Sequence, residues 1–324
     1  MKGGYALLPI VALLFALSAE MACAQKYPDK PIKIIVPGAS GGPTDVPARL
    51  ASQILQPKLG QPVVIENRPG AGGAIGARAV IGSPPDGYTL LAGNTSVLAV
   101  IPSVSASAGY DPVKNFAAIA KVSESYQILV VHPSRPWRTV KDLVDHSKAH
   151  PGTLNYAHTG AGGLPHMTGE LFIARSGASF TGVPYRSGAE AVTAVLSEAV
   201  HMTFESITIL LPLIRDGKVR ALAITSGQRT PLAPDLPTMI EAGMPDYEVT
   251  TFNGIVAPAG TPAPIVSLLN AAMSEGLQSE EMQTTIKRLG AMSPPGTAAD
   301  FAAFIVAQND KWRAVAKNAN IKVD

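Results

Sequence analysis

The sequence predicts an α/β protein of two units, each an open layer of strands flanked by helices. Three observations carry this. Short β-branched runs alternate with apolar faces of four-residue period, the signature of strand–helix–strand crossovers. The series breaks after the first unit and restarts at Tyr126. The 324 residues also exceed what one hydrophobic core ordinarily serves. The chain is 46% apolar and 15% charged, so wholesale disorder is excluded. Its 30 glycines and 28 prolines punctuate the periodic segments without forming tracts. With 26 basic against 24 acidic residues and no basic stripe, it lacks a nucleic-acid footprint.

The N-terminus is expected to lie outside the fold. Lys2 precedes the apolar run Tyr5 to Leu17, and Ala22-Cys23-Ala24 follows. This reads as a signal peptide over residues 1–24, cut before Gln25, and the run is too short to span a bilayer. The alternative, lipidation of Cys23, calls for an aliphatic residue where Glu20 stands. Cleavage leaves a cysteine-free chain, exported to the periplasm, that needs no disulfide to hold its core.

Ile32 to Val36 reads as the first strand, and Pro37-Gly38-Ala39-Ser40-Gly41-Gly42 as its turn. Val46, Leu50 and Ile54 give the first helix its apolar face. Val63-Val64-Ile65 is the second strand, followed by the Asn67 to Gly73 loop, a short helix to Ile81 and a third strand at Tyr88 to Leu91. The second series runs from Tyr126–Val131 through helix Thr139–Ala149, strand Leu154-Asn155-Tyr156 and the loop His158 to Gly163. A helix from Pro165 follows, then Val183-Pro184-Tyr185, helix Ala189–Glu198 and strands Val200–Phe204 and Val219–Thr225. After Gly254-Ile255-Val256, helices near Pro262–Gly276, Ser279–Leu289 and Ala298–Asn318 are expected to return and cover the first sheet. The domains are therefore residues 25–124 with 250–324, and residues 125–249.

Three glycine-paired loops stand where a strand hands over to a helix. Ligands of open α/β sheets bind there, and the uncommitted N–H groups of a helix start favour an anion. Tight turns are the bland alternative. Dinucleotide chemistry is set aside, because Ile75 and Pro165 occupy the third-glycine places of G-x-G-x-x-G. No Lys-Ser or Lys-Thr closes a glycine loop, so there is no P-loop. Gly38-Ala39-Ser40-Gly41-Gly42 does match G-x-S-x-G, which makes a secreted esterase using Ser40 the competing reading. Against it, nothing upstream supplies the other half of an oxyanion hole, and Pro43 removes an early N–H. His146 and His150 lie one turn apart without the glutamate of H-E-x-x-H, at a helix end that favours histidine anyway. No cofactor and no metal site is expected. His166, just after the second glycine loop, either donates to a ligand or caps its own loop.

Taken in order, several motifs resemble the tripartite tricarboxylate transporter receptors of the Bug/TctC type. They are Pro37 to Asp45, Glu66 to Gly73, Pro85-Asp86-Gly87-Tyr88-Thr89-Leu90-Leu91, Val183 to Gly188, Gly217 to Ala223 and Asp235 to Gly243. The likeness covers nearly all of the mature chain. It implies a two-lobed periplasmic binding protein of type II-like architecture, each lobe a mixed sheet flanked by helices, joined by crossing strands. The implied partners are a small organic carboxylate held between the lobes and the membrane permease subunits, with the receptor itself a monomer. Ser40, Gly41, Gly42, Thr44, Asp45 and Asn94 are the ligand-binding candidates of one lobe, and Thr159, Gly160, Gly163, His166 and Glu205 those of the other. Gly41, Gly42 and Thr44 are expected to offer donors, as are Thr159, Gly160, Gly163 and His166. Asp45 either complements its own helix or meets an amino group or water. The chain departs from the family's pattern at Gly38 and Ser40, at Phe252 in place of a common Trp, and at His201 and Glu205 in place of Asp.

Overall fold

The strand–helix alternation closes into two sheets that share one long strand. The computed structural model describes residues 27–323, so the signal segment lies outside the described residues. The strands are β1 (Ile32–Val36), β2 (Val63–Asn67), β3 (Thr89–Asn94), β4 (Phe116–Val131), β5 (Leu154–His158), β6 (Phe180–Pro184), β7 (Met202–Ser206), β8 (Arg220–Ile224) and β9 (Thr250–Pro258). The longer helices are α1 (Asp45–Leu59), α2 (Ala74–Ile81), α3 (Val140–Ala149), α4 (Leu164–Ser176), α5 (Gly188–Leu196), α6 (Ile207–Arg215), α7 (Ala263–Leu277), α8 (Glu280–Arg288) and α9 (Ala298–Asn318).

Strand order is β2-β1-β3-β9-β4-β7-β5-β6, with β8 also on β4. The crossovers predicted from sequence give parallel pairs, β1 with β2 and β3, and β5 with β6 and β7. The shared strand β4 and its neighbour β9 run antiparallel to the strands beside them, so both sheets are mixed. β4 is the joint. Phe116 to Tyr126 pair with β9, and Gln127 to Val131 pair with β7. Buried Thr225 ties the two crossing segments: its hydroxyl accepts from Gln127 N (3.0 Å) and donates to Val249 O (2.7 Å).

Successive β1 side chains face opposite layers, as a pleat requires. Ile34 packs with Leu50 and Ile54 of α1 and Leu269 and Met273 of α7, whereas Ile35 packs with Phe252 and with Phe301 and Ile305 of α9. Burial on both faces is why the run reads as continuously apolar.

Three differences from the sequence reading bear on the core and the cleft. The first half of β4 is a strand whose alternation is broken by irregularities at Ala118/Ala120 and Lys121/Ser123, which hid its period. Helix α6 lies in a stretch that carried no helical expectation. And α9 does not only cover the first sheet. It has 21 residues, and its last turns place Trp312, Val315 and Ala316 in the core of the second, with Tyr156, Phe172 and Phe204.

Candidate ligand-binding cleft

A cavity of about 550 Å³ opens where the sheets meet. From the first half, Pro43, Val46, Pro47 and Leu50 line it at the start of α1, with Ser123 and Ser125 of β4 and Thr251 and Asn253 of β9. Ile286, Leu289 and Ala291 close one side from the end of α8. The second half supplies Gln127, Thr159, Leu164 and Pro165 at the start of α4, Gly188 at the start of α5, and Glu205, Ser206, Thr208 and Ile209 at the β7–α6 junction.

Four helix N-termini therefore converge on one space. α5 and α6 are capped by Ser187 and Ser206, whose hydroxyls accept from Glu190 N and Thr208 N. α1 and α4 carry no side-chain cap. These are two of the three helices that the glycine loops open, one in each half, and each end favours negative charge by about 0.3–1 kcal/mol. Neutral donors surround them. The amide of Gln127, a cavity residue, is held by the Thr168 hydroxyl at 2.6 Å.

The first glycine loop is braced from behind by Asp45. Its buried carboxylate accepts from Gly41 N (2.9 Å), Asn67 Nδ2 (2.9 Å) and Arg49 Nε (2.7 Å). Burial pushes the carboxyl up, but the hydrogen bonds from Arg49, Gly41 and Asn67 outweigh it and hold the pKa below its ordinary value. The turn needs φ = +74° at Gly41, a left-handed angle that a side chain would strain. Asp45 therefore complements its own loop and helix, the first of its two expected roles. The expected donors Gly41 and Gly42 are corrected: their N–H groups are committed to Asp45 and to Ala39 O (3.1 Å). Asn94 positions rather than lines, donating to Thr44 Oγ1 at 2.7 Å and accepting from Val97 N. Ser40 Oγ accepts from Arg49 Nη2 at 3.4 Å, a cation where a nucleophile would need a base.

In the second half, Thr159 and Glu205 reach the cavity wall, and Gly160 and Gly163 shape the turn behind it, with Gly163 N bonded to Gly160 O. His166 braces its own loop, as in the second of its readings. Its Nδ1 accepts from Gly162 N at 3.1 Å, and its Nε2 faces Glu170 Oε1 at 3.8 Å, so it caps its own loop. His158 lies beside it with ring centroids 4.4 Å apart and the planes tilted by 34°, its buried Nδ1 without a hydrogen-bond partner. Of the departures from the family pattern, Glu205 alone lines the cavity. Phe252 is in the first core, His201 pairs with Asn155 Oδ1 at 2.8 Å, and Gly38 O accepts from Asn67. Sequence reasoning missed Ser123, Ser125, Gln127, Thr251 and Asn253, whose signal was polar residues recurring within the two crossing strands.

Burial lowers the pKa of His158, His166 and His201 below 6.5, and for His158 the charge of His166 adds to it. The unfolded chain then takes up protons first as pH falls through about 6.5, so stability declines below that value. Urea midpoints should drop between pH 7.5 and 5.5, and His158→Gln should flatten the decline. A midpoint that rises over this range contradicts it.

Two α/β lobes on crossing strands, with a cavity at the junction under paired helix starts, define a two-lobed solute receptor. The family model described as tripartite tricarboxylate transporter family receptor matches residues 47–321, and the chain belongs to that family. It is 35% identical to Protein BugT of Bordetella pertussis over 98% of both chains. Among solved structures it resembles R. palustris Rpa4515 with adipate (34% identity, TM-score 0.76, covering 91% of this chain and 99% of that one). It also resembles MatC from Rhodopseudomonas palustris with bound malate (33%, TM-score 0.73, covering 89% and 99%).

Proposed function

We propose that this protein is a periplasmic receptor that captures a small organic carboxylate between its lobes and delivers it to the membrane subunits of a tripartite transporter. The observation that carries the reading is one cavity walled from opposite halves by two helix starts without a side-chain cap, α1 and α4. A carboxylate there trades water for fixed donors from both lobes, and that differential contact drives closure. The lobes are residues 25–124 with 250–324, and 125–249, hinged where β4 and β9 cross, with the last turns of α9 reaching into the core of the second. The loops Ser40 to Asp45 and Thr159 to Gly163 form the jaws, with Thr159, Gln127 and Asn253 as direct donors and Asp45, Asn94 and His166 holding the jaws in shape. Related receptors solved with adipate and malate support the ligand class. The protein binds without chemistry, acts as a monomer and reaches the periplasm by its cleaved leader.

A thermal-shift screen of the mature protein against small carboxylates tests this. A true ligand at a hundred times its Kd adds about 2.7 kcal/mol of stability. No stabilisation by any carboxylate, together with fluorophosphonate labelling of Ser40, would replace the receptor reading with the esterase.

A further inference from the structure

Besides β4 and β9, a short strap of chain after α8 is held by both lobes. On the side of the first lobe, Ser293 O accepts from the side-chain amides of Gln278 (3.3 Å) and Gln283 (2.9 Å). On the side of the second, Leu289 O accepts from the Thr208 hydroxyl at 3.2 Å, and Met292 packs on the cluster of Ile128, Ile207 and Leu210. Met292 also exchanges both backbone hydrogen bonds with Glu124 of β4, at 2.7 and 2.8 Å. Gly290 permits the close approach to α6. Its φ is +68°, and a Cβ there would stand 2.6 Å from Thr208 Oγ1 and 3.5 Å from Thr208 Cα. The strap is a wall between two spaces, and Ala291 lines both. In front lies the ligand cleft. Behind lies a second cavity of about 460 Å³, into which α8 turns Gln283 and Thr284 from the first lobe while Pro231 and Leu232 enter from the second. Two bodies joined along such a line narrow the gap on one side by widening it on the other.

We infer that the strap and the β4–β9 joint form the pivot on which the lobes rock, and that the residues of the rear cavity set ligand affinity without touching the ligand. The inference rests on the two-lobed receptor reading and adds its mechanics. Apparent affinity scales with the fraction of molecules in the closed, binding-competent form, so a wedge behind the strap should tighten binding. Raising that fraction from about a tenth to about a half tightens it about fivefold. Residues 25–324 contain no cysteine, so Ala39→Cys and Ala161→Cys place one spin label in each glycine loop. Thr284→Trp, at an exposed position of α8, fills the rear cavity from the first lobe, and Pro231→Trp, also exposed, fills it from the second. Arg288→Trp, exposed on the same helix and lining neither cavity, is the control. Without ligand, both wedges should shorten the distance between the labels measured by pulsed electron resonance, and the control should leave it unchanged. Calorimetric titration with adipate and with malate should show whichever of them binds wild type binding about fivefold tighter to the wedge variants than to the control. A distance unchanged or lengthened in both wedges overturns the pivot and leaves the receptor reading intact. So does a shortened distance with a binding probe held no tighter. A distance that shortens while neither probe binds any form keeps the pivot and counts against the carboxylate reading alone.

Discussion

Replacing Trp312 by alanine is expected to cost about 3–5 kcal/mol, the range for emptying a large aromatic from a core. Trp312 is fully buried near the end of α9, packed in one cluster with Leu129, Tyr156, Phe172 and Tyr247 of the second sheet. The same helix begins in the other core, through Phe301 and Ile305. Such a helix couples the two halves, so the truncation should do more than lower stability. Urea unfolding followed by two probes, one in each half, should separate into two transitions with the second half melting first. Trp312→Phe should cost less, about 1.5 kcal/mol or under, because it also removes an indole N–H that has no partner in the core. A loss below about 1 kcal/mol for the alanine variant, with the transitions still coincident, would show that α9 is not the coupling element.

The sequence was legible where the chemistry is local. Gly41 and the loop that follows β1 announce themselves through glycine, proline and a following helical face, and α9, expected at Ala298–Asn318, forms over that span with Thr297 and Asp300 capping it reciprocally. The same local signals could not say where the N–H groups of a loop point. Gly41 N and Gly162 N are spent on Asp45 and His166, four residues on in each case, a bracing visible only once the turn is folded. The cleft wall was harder still. Ser123, Ser125, Thr251 and Asn253 face one another because β4 and β9 pair across more than a hundred residues, through bulges that destroy the period-two pattern. The destination of Trp312 was likewise unreadable, since one helix face serves two cores in succession.

The bracing of the first jaw leads to the second large effect. Asp45→Ala is expected to destabilise the protein by about 2–3 kcal/mol, because a buried acceptor is removed and its donors are left behind. Gly41 N and Asn67 Nδ2 lose their 2.9 Å partner, while Arg49, half exposed, recovers water. The loss should reach function as well. Gly41 is held at its positive φ by that bond, so the jaw around Ser40 to Pro43 should loosen and any ligand should bind more weakly, although Asp45 does not line the cavity. Asp45→Asn keeps an acceptor oxygen but removes the charge opposite Arg49, and should lose less on both counts. The sign with pH is fixed by the lowered pKa. The contribution is complete above the unfolded value of about 3.9 and fades as pH falls through the lower folded one. Wild type and Asp45→Ala should therefore differ fully in urea midpoint at pH 7 and converge below about pH 4. Equal midpoints at pH 7, or a gap that widens in acid, would mean that the carboxylate does not brace the jaw and that Arg49 and Asn67 hold the loop without it.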